Sequence, residues 1–137
     1  MYLGIDWGTK KIGLAVGAEI PYELATLDNN DSVYDKIATL CREERIEGIV
    51  IGMPVFDSGD EGENAPKIQA FGEKLKVLTK LPIYFEPENL TTQTALELLK
   101  DTGANPLEIE KKVDQTAARL ILEQYIANKE DLSQEAL

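Results

Sequence analysis

A short apolar run in the middle of the chain limits the folds that are open to it. Residues 48–52 read GIVIG, with three consecutive β-branched residues and no polar side chain. A strand with one face in water alternates apolar and polar residues, whereas a strand that is buried on both faces does not. Doubly buried strands are typical of parallel sheets that helices cover. The run therefore predicts a parallel strand inside an α/β protein.

Strand and helix patterns alternate along the rest of the chain. A hairpin is predicted from two β-prone runs around a Gly-containing turn, and further strands are predicted by similar runs. Apolar residues at helical spacing predict four helices. The predicted strands are 2–6, 11–16, 22–27, 48–52 and 83–85, and the predicted helices are 33–45, 68–78, 91–99 and 107 or 108 to about 128.

The order β-β-β-α-β-α-β-α-α predicts a mixed five-stranded sheet flanked by helices, with the first strand central beside residues 48–52. This is the strand order of the ribonuclease H-like fold, an α/β fold. We expect a single domain over residues 1–137, a mobile acidic loop at 56–64 and a frayed tail from residue 132.

Composition narrows the chemistry that such a domain can perform. The chain has no histidine, and Cys41 is its only cysteine. Ser-His-Asp catalysis, Cys-His catalysis, imidazole zinc sites and an internal disulfide are therefore excluded. A lone cysteine fits the reducing cytoplasm, and neither a signal peptide nor a membrane-spanning run is expected. Chemistry here has to use carboxylates, lysines, hydroxyls, backbone amides or bound hard cations.

Charge gives two opposing indications about nucleic acid. The net charge of −11, from 25 acids and 14 bases, repels phosphates on average. Two lysine pairs, Lys10–Lys11 and Lys111–Lys112, nevertheless lie close in sequence to Asp6 and Asp114. Both pairs could lie on the rim of one site and contact phosphates, or they could belong to an ordinary solvated face.

Three carboxylates are candidates for a shared site. Asp6 ends the first predicted strand beside Gly8, and Glu88 comes just after the predicted strand at 83–85. Asp114 borders the apolar stripe of the last helix, one turn before Ala117 and Ala118, which leave room around it. Each acid also has a structural interpretation. Asp6 could cap a turn, Glu88 could favour a helix dipole, and Asp114 could pair with a neighbouring lysine or a backbone amide.

Taken together, these acids suit a hard cation. One carboxylate from each of two strands and one from the last helix can converge at one end of the sheet. Mg²⁺ prefers oxygen ligands and keeps several waters, so two or three carboxylates suffice. Two such ions could activate a water and stabilise the leaving oxygen in phosphodiester hydrolysis without any histidine.

Four segments, in this order, resemble the motifs of the YqgF family, whose members are also described as Holliday junction resolvase-like proteins or pre-16S rRNA nucleases. Residues 3–16, LGIDWGTKKIGLAV, match the family's LGxDxGTKRIGxAV start. Residues 51–54 with Gly59 and Gly62 are similar to its GLPxxxxGxxG segment. Residues 90–92 match the end of its DERLTT motif, and residues 112–122 are similar to its KVDxxAAxxIL helix. The resemblance covers nearly the whole chain.

The resemblance implies a ribonuclease H-like, metal-dependent nuclease of the cytoplasm that processes the 5′ end of pre-16S rRNA. Carried over by position, it implies Asp6, Glu88 and Asp114 as the catalytic and metal-binding acids, with Mg²⁺ or Mn²⁺ as the cofactor. The expected partner is structured precursor rRNA or branched DNA, and the protein is expected to be a monomer or a weak homodimer. The residues expected to bind substrate are Gly8, Thr9, Lys10, Lys11 and Lys112.

The chain departs from the family pattern at three positions. Pro87 and Asn89 stand where the family has Asp and Arg, and Lys11 stands where it usually has Arg. Losing the Arg removes a bidentate phosphate-binding fork, and losing the Asp weakens the metal site unless Glu86 replaces it. These departures favour, as an alternative, a catalytically weak or inactive module of the same fold in ribosome assembly. Holliday junction resolution on DNA is another alternative.

A third interpretation comes from the Asp-x-Gly-Thr sequence at residues 6–9, which is similar to the phosphate loop of sugar kinases and Hsp70-type ATPases. Those proteins close two such domains around ATP, and 137 residues are too few for that. No second phosphate loop is visible in the sequence. Saturable binding of ATP would support this interpretation.

Overall fold

The computed structural model describes residues 1–54, 64–88 and 91–135, except for the side chains of residues 88, 91–93 and 130–135. Within these ranges the elements follow the predicted order. The strands are β1 (Tyr2–Trp7), β2 (Lys11–Gly17), β3 (Tyr22–Asp28), β4 (Gly48–Pro54) and β5 (Ile83–Glu88). The helices are α1 (Val33–Glu43), α2 (Ala65–Thr79), α3 (Thr91–Asp101) and α4 (Pro106–Glu135). The loop predicted at 56–64 lies outside the described residues, apart from Asn64.

The strands form one mixed sheet in the order β3-β2-β1-β4-β5. β2 is antiparallel to both β1 and β3, whereas β4 is parallel to β1 and to β5. The central position of β1 is therefore confirmed. The apolar run at 48–52 is β4, and it is buried throughout, as its composition predicts.

The two faces of the sheet differ because alternate residues of a strand point in opposite directions. One face carries large aliphatic side chains that pack against α1 and α2 and make the main core. These side chains include Leu3, Ile5, Ile12, Leu14, Val16, Ile49 and Ile51, all fully buried. The other face is poor in large side chains, since Gly4, Gly13 and Gly48 lie on it, and α4 crosses this face.

Two glycines on the second face let α4 approach the sheet backbone closely. A Cβ atom on Gly4 would lie 2.9 Å from both the Ala118 carbonyl oxygen and the Leu122 Cβ. A Cβ atom on Gly13 would lie 2.8 Å from the Gln115 nitrogen and closer still to the carbonyl group of Asp114. These distances leave no room for a methyl group. Glycine at both positions therefore sets the height of α4 above β1 and β2.

Two elements extend further than the sequence predicts. β5 continues from the predicted end at residue 85 through Pro87 to Glu88, because an outer strand tolerates a residue without an N–H donor. α4 begins at Pro106 and continues to Glu135, so the tail predicted from residue 132 is helical as far as Glu135. The residues after 128 are mostly polar, and the hydrophobic periodicity that marks a buried helix ends before the helix does.

The face beneath α4 has its own small apolar cluster. Val50 of β4 packs there against Ile121, Leu122 and Ile126 of α4, all of them buried. This packing holds the middle of the long helix over the centre of the sheet. Among the described residues, no helix is both long and apolar enough to cross a membrane.

Candidate active site

Asp6 lies near the carboxyl end of the central strand, on the face that α4 covers. Its cross-strand partner in β2 is Gly13, so the two residues share that face. The residue is only 9% exposed, although it is charged. A nearly buried carboxylate at the end of a parallel strand is the position where open α/β sheets bind ligands.

Asp114 is brought to the same place by the close approach of α4. Its carbonyl group lies directly over Gly13, the partner of Asp6. Burial raises the pKa of the Asp114 carboxyl above its ordinary value, and the nearby Lys11 ammonium partly opposes this effect. Lys11 of β2, rather than Lys111, is the cation whose charge acts on this carboxyl. The backbone of Asp114 thus lies next to the strand position that neighbours Asp6.

Glu88 reaches the same edge of the sheet on a different strand. The prediction that it follows the strand is wrong, since it is the last residue of β5, paired with Pro54 of β4. β4 separates β5 from β1, so Glu88 and Asp6 are not on neighbouring strands. The side chain of Glu88 lies outside the described part of the chain, as does Asn89.

Glu86 is a carboxylate whose place in the fold only the structure reveals. It is 7% exposed, and its Oε1 accepts hydrogen bonds of 2.8 Å from both Gln124 and Asn128 of α4. Gln124 also donates to the carbonyl oxygen of Pro87 at 2.7 Å. The suggestion that Glu86 replaces a missing metal ligand is therefore not supported, because this carboxylate joins β5 to α4. The only signal for this contact in the sequence is that Gln124 and Asn128 are amides four residues apart on one helix.

The turn between β1 and β2 gives Gly8 a structural role, whereas the sequence suggests a role in substrate binding. A Cβ atom on this residue would lie 2.6 Å from the Lys11 carbonyl oxygen, so the tight turn itself requires glycine. The Gly8 carbonyl oxygen accepts a hydrogen bond of 2.7 Å from Asn29. Thr9 and Lys10 are exposed at the tip of the turn. These residues lie beyond the carboxyl end of β1, next to Asp6.

One lysine from each of the two pairs lies at the same cleft. Lys11 forms an ion pair with Asp28 at the end of β3, and the Asp28 carboxylate raises the pKa of the Lys11 ammonium. Lys11 and Lys111 line one cleft, of about 430 Å³, between the β2–β3 pair and the start of α4. Lys112 is exposed beside it. The cleft beside Asp114 therefore carries one lysine of each pair together with Glu110.

The chemistry of the acids fits a hard divalent cation. Asp6 and Asp114 offer oxygen donors that are shielded from water, and Mg²⁺ needs few protein ligands because it retains waters. Among the residues described in the structure, no three or more acids, cysteines or histidines are grouped so that they could hold a metal ion. The backbone thus places Asp6 and Asp114 at neighbouring positions under α4, and we refer to these two acids as the carboxylate pair, with Glu88 as the candidate third ligand.

The raised pKa of Asp114 predicts the pH dependence of folding stability. An acid whose folded pKa is above its unfolded value makes the protein less stable as pH rises through the folded pKa. We therefore expect Asp114→Asn, without divalent cations, to be more stable than wild type at neutral pH. The difference should shrink as pH falls towards 3.8, the ordinary pKa of the group. Thermal unfolding measured across this range tests it, and equal midpoints at neutral pH would contradict it.

A mixed sheet in this order, with an acid on the central strand and another on the last helix, defines a ribonuclease H-like protein. Two solved structures of RuvC from Thermus thermophilus share the fold. The one in complex with a Holliday junction substrate has a TM-score of 0.52 and 14% identity, and the match covers 88% of this chain and 90% of RuvC. At this identity the likeness concerns the fold alone.

The family follows from sequence comparison. The family model "RuvX: Holliday junction resolvase" matches residues 1–128. A protein of Oleidesulfovibrio alaskensis named "Putative pre-16S rRNA nuclease" is 34% identical over 135 residues, which cover 95% of this chain and 94% of that protein. A protein of Lactococcus lactis with the same name is also 34% identical, over 90% of this chain and 92% of its own length. The chain belongs to this family, and the predicted resemblance is confirmed.

Proposed function

We propose that this protein is a divalent-cation-dependent nuclease that hydrolyses phosphodiester bonds of precursor 16S rRNA. The observation that carries the proposal is the placement of Asp114 over Gly13, the strand partner of Asp6, in a chain whose relatives are named pre-16S rRNA nucleases. The proposed setting is maturation of the 5′ end of this RNA in the cytoplasm, by a monomer or a weak homodimer.

In this proposal Asp6, Asp114 and Glu88 hold Mg²⁺ or Mn²⁺. A bound divalent cation activates water and stabilises the leaving oxygen of a phosphodiester. The chain's own residues then have defined tasks. Asp6 is held by the central strand and Asp114 by a helix packed directly on that strand, so the two carboxylates are fixed before substrate arrives. Lys111 and Lys112 supply positive charge to the RNA backbone.

Titration calorimetry with Mn²⁺ tests whether this site binds a metal. We expect wild type to bind Mn²⁺ and Asp6→Asn to bind it at least about tenfold more weakly, because a lost carboxylate removes charge and a ligand. Equal binding by the two proteins would place the ion elsewhere. No binding to wild type would favour the second candidate function.

That second candidate is an inactive module of the same fold in ribosome assembly. It is favoured by Pro87 and Asn89, which stand in place of Asp and Arg. Such a module would bind RNA or protein without cleaving RNA. Cleavage that disappears with Asp6→Asn would exclude it.

A matched pair of variants separates the two glutamates of β5. Glu86→Gln is expected to lower the free energy of unfolding by about 1–3 kcal/mol, because charge-assisted hydrogen bonds to Gln124 and Asn128 are weakened. It should leave cleavage of the precursor RNA nearly unchanged. Glu88→Gln should show the opposite pattern, with normal stability and a cleavage rate at least about tenfold lower. Denaturant unfolding and a cleavage assay measure both, and loss of cleavage by Glu86→Gln alone would reverse the assignment.

A further inference from the structure

A cleft opens beside Asp114 on the side away from β5. Its walls are the β2–β3 pair, through Lys11 and Thr26, and the first turns of α4, through Leu107, Lys111 and Gln115, with Glu110 at its side. Gln115 follows Asp114 directly in the helix, and the Lys11 ammonium is close enough to Asp114 to oppose part of the rise that burial causes in the pKa of its carboxyl. The cleft therefore lies directly beside Asp114.

The cleft combines three kinds of surface. Lys111 provides a cation, and neither its ammonium nor the Gln115 amide makes a hydrogen bond or ion pair with the described residues. Leu107 is 61% exposed, an unusual exposure for a leucine on a wall of a cleft. A cation, a free amide and an apolar surface match the phosphate, the base edge and the base face of a nucleotide.

Charge decides on which side of the carboxylate pair a phosphate chain can continue. The β5 side carries Glu86 and ends at Glu88, and the protein as a whole has a net charge of −11. The cleft side carries Lys11, Lys111 and Glu110, and because Lys11 is paired with Asp28, Lys111 is the cation available to a phosphate. A phosphate chain held at Asp6 and Asp114 through a divalent cation is therefore repelled on the β5 side and can meet Lys111 on the cleft side.

The shape of the cleft limits what can enter. Its volume of about 430 Å³ is within the range of roughly 300–1,000 Å³ that small-molecule sites occupy. The Thr26 hydroxyl lies 3.5 Å from the Lys111 carbonyl oxygen, so strand and helix close the cleft at its base. A space of this volume suits a single nucleotide rather than a base pair.

We propose that this cleft binds one unpaired nucleotide next to the phosphate that is cleaved. The proposal rests on the proposed nuclease function and makes that function specific for RNA that is single-stranded on one side of the cleavage position. Leu107 packs against the base, Gln115 hydrogen-bonds its edge, and Lys111 contacts its phosphate.

Binding of a short single-stranded RNA, with an abasic sugar placed at each position in turn, tests the proposal. Asp6→Asn serves as the parent protein, so that the RNA stays intact. We expect one position at which loss of the base weakens binding about tenfold, the size expected for one packed base with a hydrogen bond. After Leu107→Ala and Gln115→Ala are added to the parent, that position should no longer differ from the others. A fully paired duplex should bind equally to both proteins.

Val77→Ala with Gln69→Ala is the matched control, since both residues are exposed on α2, across the sheet from α4. This pair should keep the position-specific loss. If parent and cleft variant gave the same abasic profile, the proposal that the cleft binds a nucleotide would be overturned, even if wild type cleaves RNA. If the profile changed in the cleft variant but wild type did not cleave RNA, nucleotide binding in the cleft would be supported and the nuclease proposal would be overturned.

Discussion

Replacing Asp6 with Asn is expected to lower the rate of RNA cleavage by about two to three orders of magnitude. A bound cation supplies several kcal/mol of transition-state stabilisation, and each 1.36 kcal/mol is worth about a factor of ten. Asn has nearly the same size as Asp, so the fold should survive in a strand whose other face packs in the main core. The measurement is single-turnover cleavage of a precursor 16S rRNA fragment with Mg²⁺ or Mn²⁺, alongside thermal unfolding.

The matched control is Asp31→Asn, an exposed carboxylate in the connection between β3 and α1. It removes the same charge from a residue outside the candidate site and should cleave like wild type. Equal cleavage by wild type and Asp6→Asn would mean that a contaminating nuclease is responsible. A variant that fails to unfold cooperatively would show that Asp6 is needed for folding rather than for catalysis.

Replacing Gly13 with Ala is expected to destabilise the protein by about 3 kcal/mol, the upper part of the usual range for overpacking. The new methyl group would overlap the carbonyl group of Asp114, and helix backbone cannot yield as a side chain does. The midpoint of thermal unfolding should fall on the order of 10 °C. Cleavage should also decrease, because α4 can make room only by moving Asp114 away from Asp6.

Gly4→Ala provides a graded comparison on the neighbouring strand. Its methyl group would meet α4 atoms at 2.9 Å, a milder overlap than at Gly13. We expect a smaller loss of stability and a smaller effect on cleavage, because residue 4 lies farther from Asp114 along the helix. If Gly13→Ala proved as stable as wild type, α4 would not be held at the height that the structure shows.

Much of the fold could be predicted because its signals are local. The doubly buried run of β4, the hairpin around Gly8 and the helical periodicities each require only a few neighbouring residues. The strand order then follows from topology, since parallel strands need helical crossovers and antiparallel ones need only turns. The two extensions, of β5 past Pro87 and of α4 to Glu135, escaped because their residues lack an apolar pattern.

The sequence by itself determined the strand and helix order, the absence of histidine chemistry and the three acids worth examining. Only the tertiary structure decided where these acids lie and what they contact. Glu86 and Glu88 are two residues apart and chemically alike, yet Glu86 faces Gln124 and Asn128 across a distance of about forty residues in the chain. The contact of Asp114 with Gly13 is likewise non-local. Burial and hydrogen bonding between distant segments set these roles, and no local sequence pattern encodes such contacts.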